Sequence, residues 1–206
     1  MIKNIIFDFG DVFIDLDRNR AEEEMQKLGM KTFNEEMIQM NNAYEKGQLS
    51  SSEFINYYLS NFKEISEEQL LTSFNSILAD FPLKRLEFLE SLVDDFRIFL
   101  LSNTNEIHID FFKNRMGETF YGRFMECFEK VYYSYEINCR KPDFETFEFV
   151  INQNNLKVNE TLFIDDTLEN IVTANTLGFH TWQIRPGKEE VIDLFSIKKD
   201  LFQNQK

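Results

Sequence analysis

Cysteine is nearly absent from the 206-residue sequence: Cys127 and Cys139 are the only two, and their spacing fits neither a disulfide framework nor a metal-ligand motif. Proline (3) and glycine (7) are equally scarce, which excludes collagen-like, linker-rich and low-complexity architectures. Positive charge is in short supply. Lys and Arg number 22 against 36 Asp and Glu, a net charge of −14. A field of that sign repels phosphate backbones and anionic headgroups, so neither nucleic acid nor a membrane surface is expected as a partner. Any anionic substrate must find a local positive site. Long hydrophobic runs are missing too, since none approaches the ~18 residues of a membrane-spanning helix. The first apolar run, Ile5-Ile6-Phe7, follows Lys3 and stops at Asp8, too short for a signal peptide. A reduced, cytoplasmic protein is expected.

Apolar mass is plentiful: the hydrophobic fraction is 43%, with 23 Phe. The length suits one large domain or a domain carrying an insert, and a core of that size needs no covalent staple. Short apolar runs end abruptly at polar residues: 4–7 before Asp8, 97–101 before Ser102-Asn103, and 161–164 before Asp165-Asp166. Residues 181–184 and 130–133 complete a set of five strands. Continuous apolar runs of this length predict strands buried on both faces, hence a parallel sheet covered by helices. Helical stretches alternate with them at 83–95, 105–116, 143–154 and 168–177. The alternation predicts an α/β fold with a doubly wound, Rossmann-like parallel sheet and right-handed crossovers, with ligands at the carboxyl ends of the strands.

The interval 17–85 breaks that rhythm. It holds no strand pattern but four amphipathic stretches, 19–29, 34–46, 51–62 and 66–79. Helix-start signals accompany them at Ser51 or Ser52 with Glu53, and at Ser66 with Gln69. It reads as an inserted helical cap, leaving 1–16 and 86–206 as the core. Residues 188–206 read as a final helix with a polar tail.

The chemistry-bearing residues sit at the expected strand ends. Asp8 closes the first strand, before a turn containing Gly10. Two adjacent ionised carboxylates, Asp165-Asp166, repel unless a cation lies between them or Asp166 caps the next helix. Lys141, between Arg140 and Pro142, supplies a compact positive charge suited to phosphate. Ser102-Asn103 offers a hydroxyl, an amide and backbone N–H groups near a helix start, where anions bind.

In this order the residues resemble the haloacid dehalogenase-like hydrolase superfamily, and the resemblance runs through almost the whole chain. Phe7-Asp8-Phe9-Gly10-Asp11-Val12, Leu101-Ser102-Asn103-Thr104, Lys141-Pro142-Asp143 and Phe163-Ile164-Asp165-Asp166 with Asn170 look like its four motifs. Tyr44-Glu45-Lys46-Gly47 followed by Phe54 resembles part of the family's helical cap. The resemblance implies a phosphatase acting on a small phosphorylated metabolite. Asp8 would be the nucleophile, and Mg²⁺ would be held by Asp8, the Gly10 carbonyl and Asp166, with Asp165 direct or through water. Lys141 and Ser102 would be catalytic, and Ser102, Asn103 and Lys141 would bind phosphate.

One departure stands out: most of the family's phosphatases carry Asp two residues after the nucleophile, and here that position is Gly10. The same departure and the string from Ser102 to His108 resemble the branch of α-glucose-1-phosphate phosphatases, which points to a sugar 1-phosphate. Asp15, Asp17, Glu45 or His108 are the alternative proton sources. The competing functions are a metal-independent 2-haloacid dehalogenase and a non-catalytic phosphate-binding relative. Plainer readings make His108 a solvated polar residue, Asp15 and Asp17 hinge or surface carboxylates, Arg18 and Arg20 parts of a solvated helix, and Cys139 an inert thiol. The Phe and Tyr residues at 111–112, 144, 147 and 149 are expected in packing.

Overall fold

The computed structural model describes residues 1–30 and 34–202. Five strands form where the apolar runs lie: β1 (Asn4–Phe7), β2 (Arg97–Ser102), β3 (Lys130–Tyr133), β4 (Thr161–Asp165) and β5 (His180–Gln183). All pair in parallel, in the order β3-β2-β1-β4-β5. Side chains alternate between the two faces with the period of two that a strand imposes. Ile5 and Phe7, Ile98 and Leu100, and Leu162 and Ile164 enter one apolar cluster. Ile6, Phe99, Leu101 and Phe163 enter the other. Because both faces are covered, the strands read as unbroken apolar runs.

The helices are, in chain order, α1 (Arg18–Lys27), α2 (Glu35–Glu45), α3 (Ser51–Asn61), α4 (Glu67–Asn75), α5 (Leu83–Glu90), α6 (Glu106–Met116), α7 (Glu118–Glu126), α8 (Ser134–Ile137), α9 (Phe144–Asn154), α10 (Leu168–Thr176), α11 (Leu194–Ile197) and α12 (Lys199–Phe202). Nothing in the sequence reading anticipated α7 or α8. The first face is filled by aromatic rings: Phe9, Phe13, Phe81, Phe112 and Phe124 meet at centroid distances of 4.9–6.4 Å. Phe147 and Phe163 do the same on the second face. Phe144 and Phe149 are not in the core; both are exposed.

Two local expectations need correction. The start of α3 is Ser50, not Ser51 or Ser52: Ser50 and Glu53 exchange bonds with each other's backbone N–H, and only a spacing of three lets them do so. The Ser66–Gln69 pair caps α4 as expected. The C-terminal stretch is not one helix from 188. A tight turn at Val191–Asp193 leads into the short α11 and α12, because Val191 and Leu194 are buried while Phe195 and Phe202 pack against Phe96. The expected tail, 203–206, lies outside the described residues.

Helices α1–α4 enclose an apolar cluster of their own, with Met25, Met37, Tyr44, Phe54 and Tyr58 at its centre. The chain leaves and re-enters the sheet layer side by side: the Asp15 N–H donates to the Asp80 carbonyl at 2.8 Å, the Ala79 N–H to that of Asp15 at 2.9 Å, and the Asp17 N–H to that of Ile77 at 2.8 Å. Leu78 and Phe81 already belong to the sheet-side cluster, so by packing the chain turns back several residues before position 85. Among the described residues no helix is long and apolar enough to cross a membrane.

Candidate active site

The sheet reverses its winding direction between β1 and β4, and in such sheets ligands lie at the carboxyl ends of the strands flanking that point. Phe7 is in register with Ile164, and the Asp8 N–H donates to the Ile164 carbonyl at 2.9 Å. That register sets Asp8 directly beside Asp165. After Asp8 the chain turns at once: the N–H groups of Phe13 and Ile14 return to the Phe9 carbonyl. Asp11 takes the left-handed conformation (φ 55°), which Asp tolerates better than most residues. Its carboxylate accepts from the Leu16 N–H at 3.0 Å and pairs with Arg18.

Lys141 lies between the acids. It is 1% exposed, and its Nζ donates to Asp8 Oδ1 at 2.8 Å and to Asp165 Oδ2 at 2.6 Å. Burial works against its charge, but Asp165 and Asp8 outweigh that and hold the ammonium protonated beyond its ordinary range. Burial raises the Asp8 carboxyl to about 7, with Lys141 opposing and Asp165 adding to the rise. Burial, and then the charges of Asp165 and Asp11, also raise Asp166.

Asp165 is saturated. Asn170 Nδ2 donates to both of its oxygens at 3.0 Å, the Thr167 N–H donates to Oδ1 at 2.8 Å, and Lys141 takes Oδ2. Asp8 Oδ1 accepts from the Lys141 ammonium and the carboxylate also accepts from the Phe9 backbone N–H, while the Asp166 carboxylate meets the Thr167 hydroxyl at 3.3 Å and Arg18 at 3.6 Å. Ligand oxygens of Asp8, Asp165 and Asp166 lie within 4.8 Å of one another. One ammonium against three carboxylates leaves surplus negative charge. An all-oxygen donor set of this kind suits a hard divalent cation of the Mg²⁺ class. Among the described residues the Gly10 carbonyl accepts no hydrogen bond, so it too is open to a cation.

Ser102 ends β2, is 2% exposed, and its hydroxyl has no hydrogen-bond partner among the described residues. The Asn103 side-chain amide clasps the Lys141 backbone, Nδ2 donating to the carbonyl at 2.8 Å and Oδ1 accepting from the N–H at 2.9 Å. The second Nδ2 hydrogen remains for an anion.

A cavity of about 360 Å³ lies under α1–α4, with Arg18, Met25, Asn41, Glu45, Phe74 and His108 in its wall. It adjoins the acids: Arg18 touches Asp166, and Glu45 pairs at 2.9 Å with Arg140, the neighbour of Lys141. Arg18 is therefore not simply a solvated helix residue. Nor is His108. Asn105 caps α6 by accepting from the His108 N–H at 3.0 Å, and this turns the ring onto Phe74, with centroids 4.4 Å apart and planes at 12°. Asp15 is tied to Arg85 at 2.7 Å, and Asp17 accepts from the Arg20 N–H to start α1. Neither lines the cavity. Arg20 is exposed, and the half-buried Cys139 makes no hydrogen bond among the described residues.

Sequence reasoning missed the clasp between the end of α2 and the Lys141 loop. Besides Glu45–Arg140, Lys46 pairs with Asp143 at 2.9 Å. Gly47 (φ 66°) passes so close that an added Cβ would stand 2.1 Å from the Tyr135 carbonyl oxygen. The signal lay in the Tyr44-Glu45-Lys46-Gly47 string, whose partners are distant in the chain.

A family model described as haloacid dehalogenase-like hydrolase matches residues 2–178. The D-ribitol-5-phosphate phosphatase of Bacteroides thetaiotaomicron is 30% identical over 196 residues, covering 92% of this chain and 95% of that one. A crystal structure of a haloacid dehalogenase (HAD) family enzyme from the same organism, in complex with magnesium and inorganic phosphate, superposes with a TM-score of 0.81 at 32% identity, over 92% of this chain and 97% of that one. A HAD-like hydrolase from Porphyromonas gingivalis gives 0.84 at 31% identity, over 98% of each chain.

Proposed function

As the chain belongs to the haloacid dehalogenase-like hydrolase family, we propose that it is a Mg²⁺-dependent phosphatase hydrolysing a small phosphorylated metabolite through an aspartyl-phosphate. One observation carries this reading: Lys141 is buried between Asp8 and Asp165, and ligand oxygens of Asp8, Asp165 and Asp166 lie within 4.8 Å of one another. Asp8 Oδ2 attacks phosphorus, the bond from phosphorus to the ester oxygen breaks, and the alcohol leaves. Water then attacks the phosphoryl group on Asp8, releasing phosphate and restoring the carboxylate. Lys141 draws the Asp8 carboxyl toward its ionised form against the effect of burial and faces the charge that develops on the transferring group. The Ser102 hydroxyl donates to a phosphate oxygen. Bound by Asp8, Asp166 and the Gly10 carbonyl, with Asp165 positioned behind, Mg²⁺ would supply the positive charge that lets a carboxylate meet a phosphate dianion. Residues 17–85 would act as the cap that keeps bulk water out during the first step.

The leaving group's proton is the open chemical question, because position 10 has no side chain. An added Cβ there would meet Leu16 Cδ1 at 2.8 Å, and Asp11 faces Leu16 and Arg18 instead of the site. Of the four alternatives only Glu45 and His108 line the cavity. Glu45 pairs with Arg140 at 2.9 Å, and burial raises its carboxyl against that pull.

The similarity to a D-ribitol-5-phosphate phosphatase, together with a cavity near the lower end of small-molecule sites whose mostly apolar wall carries Asn41, Ser73 and His108, supports a phosphorylated polyol or sugar. The empty position 10 favours a second reading, a sugar 1-phosphate, whose anomeric oxygen leaves with less help. A metal-independent dehalogenase has no need of the Asp165-Asp166 pair. The test is hydrolysis of para-nitrophenyl phosphate with Mg²⁺ and with EDTA, wild type against Asp8→Asn. The reading requires activity that is lost in both the chelator and the variant. Equal rates in all samples would leave only a phosphate-binding protein.

A further inference from the structure

Resting on the phosphatase reading, we infer that His108 selects the substrate by accepting a hydrogen bond from a hydroxyl on its carbon chain. The ring's role follows from its neighbours. Nδ1 lies 3.0 Å from Asn75 Oδ1, an acceptor, so Nδ1 carries the proton. Nε2 is then a bare lone pair. It has no hydrogen-bond partner among the described residues, and the residue forms part of the cavity wall.

Three further observations hold the ring in that state. Phe74 stacks flat on it and fixes its plane. Asn105, at the start of α6, fixes its height by binding its backbone N–H. Burial keeps the imidazole neutral, down at about 4. A neutral acceptor attracts an O–H and repels the lone pairs of a carboxylate or a second phosphate. Glu22 in the same wall reinforces this, and the nearby cation, Arg18, is already paired with Asp11. Within a mostly apolar wall, His108 therefore offers its acceptor to a hydroxyl on a neutral chain carrying a single phosphate.

His108 is also one helical turn from Asn105 and close in sequence to Ser102. A phosphate held at Ser102 and Lys141 would have its carbon chain leading into the cavity that His108 lines. This makes the histidine a reader of the substrate's tail and not a general acid, since it has no proton on Nε2 to give at neutral pH.

The experiment compares kcat/KM for a pentitol phosphate and for pentyl phosphate, which has the same chain length and no hydroxyls. Wild type should prefer the pentitol phosphate. In His108→Phe, which keeps the stack on Phe74 and removes the acceptor, that preference should fall about tenfold or more. His108→Gln, which offers a carbonyl oxygen, should recover part of it. An unchanged preference in His108→Phe, an equal loss on both substrates, or a wild type that does not favour the pentitol phosphate would overturn the inference. Asp8→Asn separates this from the underlying reading: abolished turnover of every substrate keeps the phosphatase assignment even where the His108 result is negative.

Discussion

Asn103 and Lys141, 38 positions apart, clasp one another through two hydrogen bonds, at 2.8 and 2.9 Å, between a side-chain amide and a backbone unit. The amide at the end of β2 thereby sets the height of the loop that carries the ammonium, and the ammonium in turn spans the acids of β1 and β4.

Asn103→Ala removes the clasp without touching a charge. A misplacement of the order of 1 Å costs about 10²-fold in rate, so kcat for an aryl phosphate should fall about 10- to 100-fold. Chemical denaturation should register only about 1–3 kcal/mol, the cost of leaving buried backbone groups unpaired. Asn103→Asp keeps the acceptor for the Lys141 N–H and should fall between.

Metal removal should act on both activity and stability. Three crowded carboxylates against one ammonium favour the folded state only weakly without a cation. Mg²⁺ at about 100 times its Kd should add about 2.7 kcal/mol of apparent stability, seen as a rise in Tm that EDTA reverses. In Asp166→Asn the rise should shrink or vanish.

Acid should loosen the structure through His108. Its folded-state value, about 4, lies below the ordinary 6.5, so between these values the unfolded chain binds the proton that the folded chain refuses. Stability contributed by the neutral ring is complete above pH 6.5 and declines as pH drops toward 4, by at most about 3 kcal/mol. Denaturation of wild type and His108→Gln across pH 4–7 should show a shallower decline in the variant; parallel slopes would refute the assignment.

Gly10→Asp alone requires the end of the Leu16 side chain to move aside, since its Cβ would meet Leu16 Cδ1 at 2.8 Å. Combined with Leu16→Ala, it should raise turnover of alkyl phosphates relative to para-nitrophenyl phosphate about 10-fold or more, because only the alkyl leaving group needs a proton. An unchanged ratio would show that the proton already comes from elsewhere.

Gly47→Ala should lower stability by about 2 kcal/mol or more, because it combines a positive φ with a clash against a carbonyl. The same variant should weaken the contacts of Glu45 and Lys46 and raise KM, measured by steady-state kinetics.

Much of the site was legible in the sequence because strand ends are legible. Asp8, Ser102 and Asp165 each close an apolar run, and a parallel sheet brings such ends together whatever the details. Lys141 stood out as a cation in an acidic chain. The cavity wall was not legible: Arg18, Asn41, Glu45 and His108 come from three different helices, and only their docking decides which side chains face inward. The sequence offers His108 as a proton source or as a solvated polar residue, and its place against Phe74 and Asn75, over 30 positions earlier, comes only from docking. Likewise α7 carries Gly122 among aromatics, a composition that masks a helix whose Phe124 is fully buried.

The position of β1 has a consequence for biosynthesis. It precedes the other four described strands in the chain, yet it occupies the middle of the sheet, and both strands that flank it are translated much later. During that interval it has two bare edges, a state in which nascent chains depend on holdases to escape aggregation. The central strand therefore has both of its neighbours only after β4 has docked.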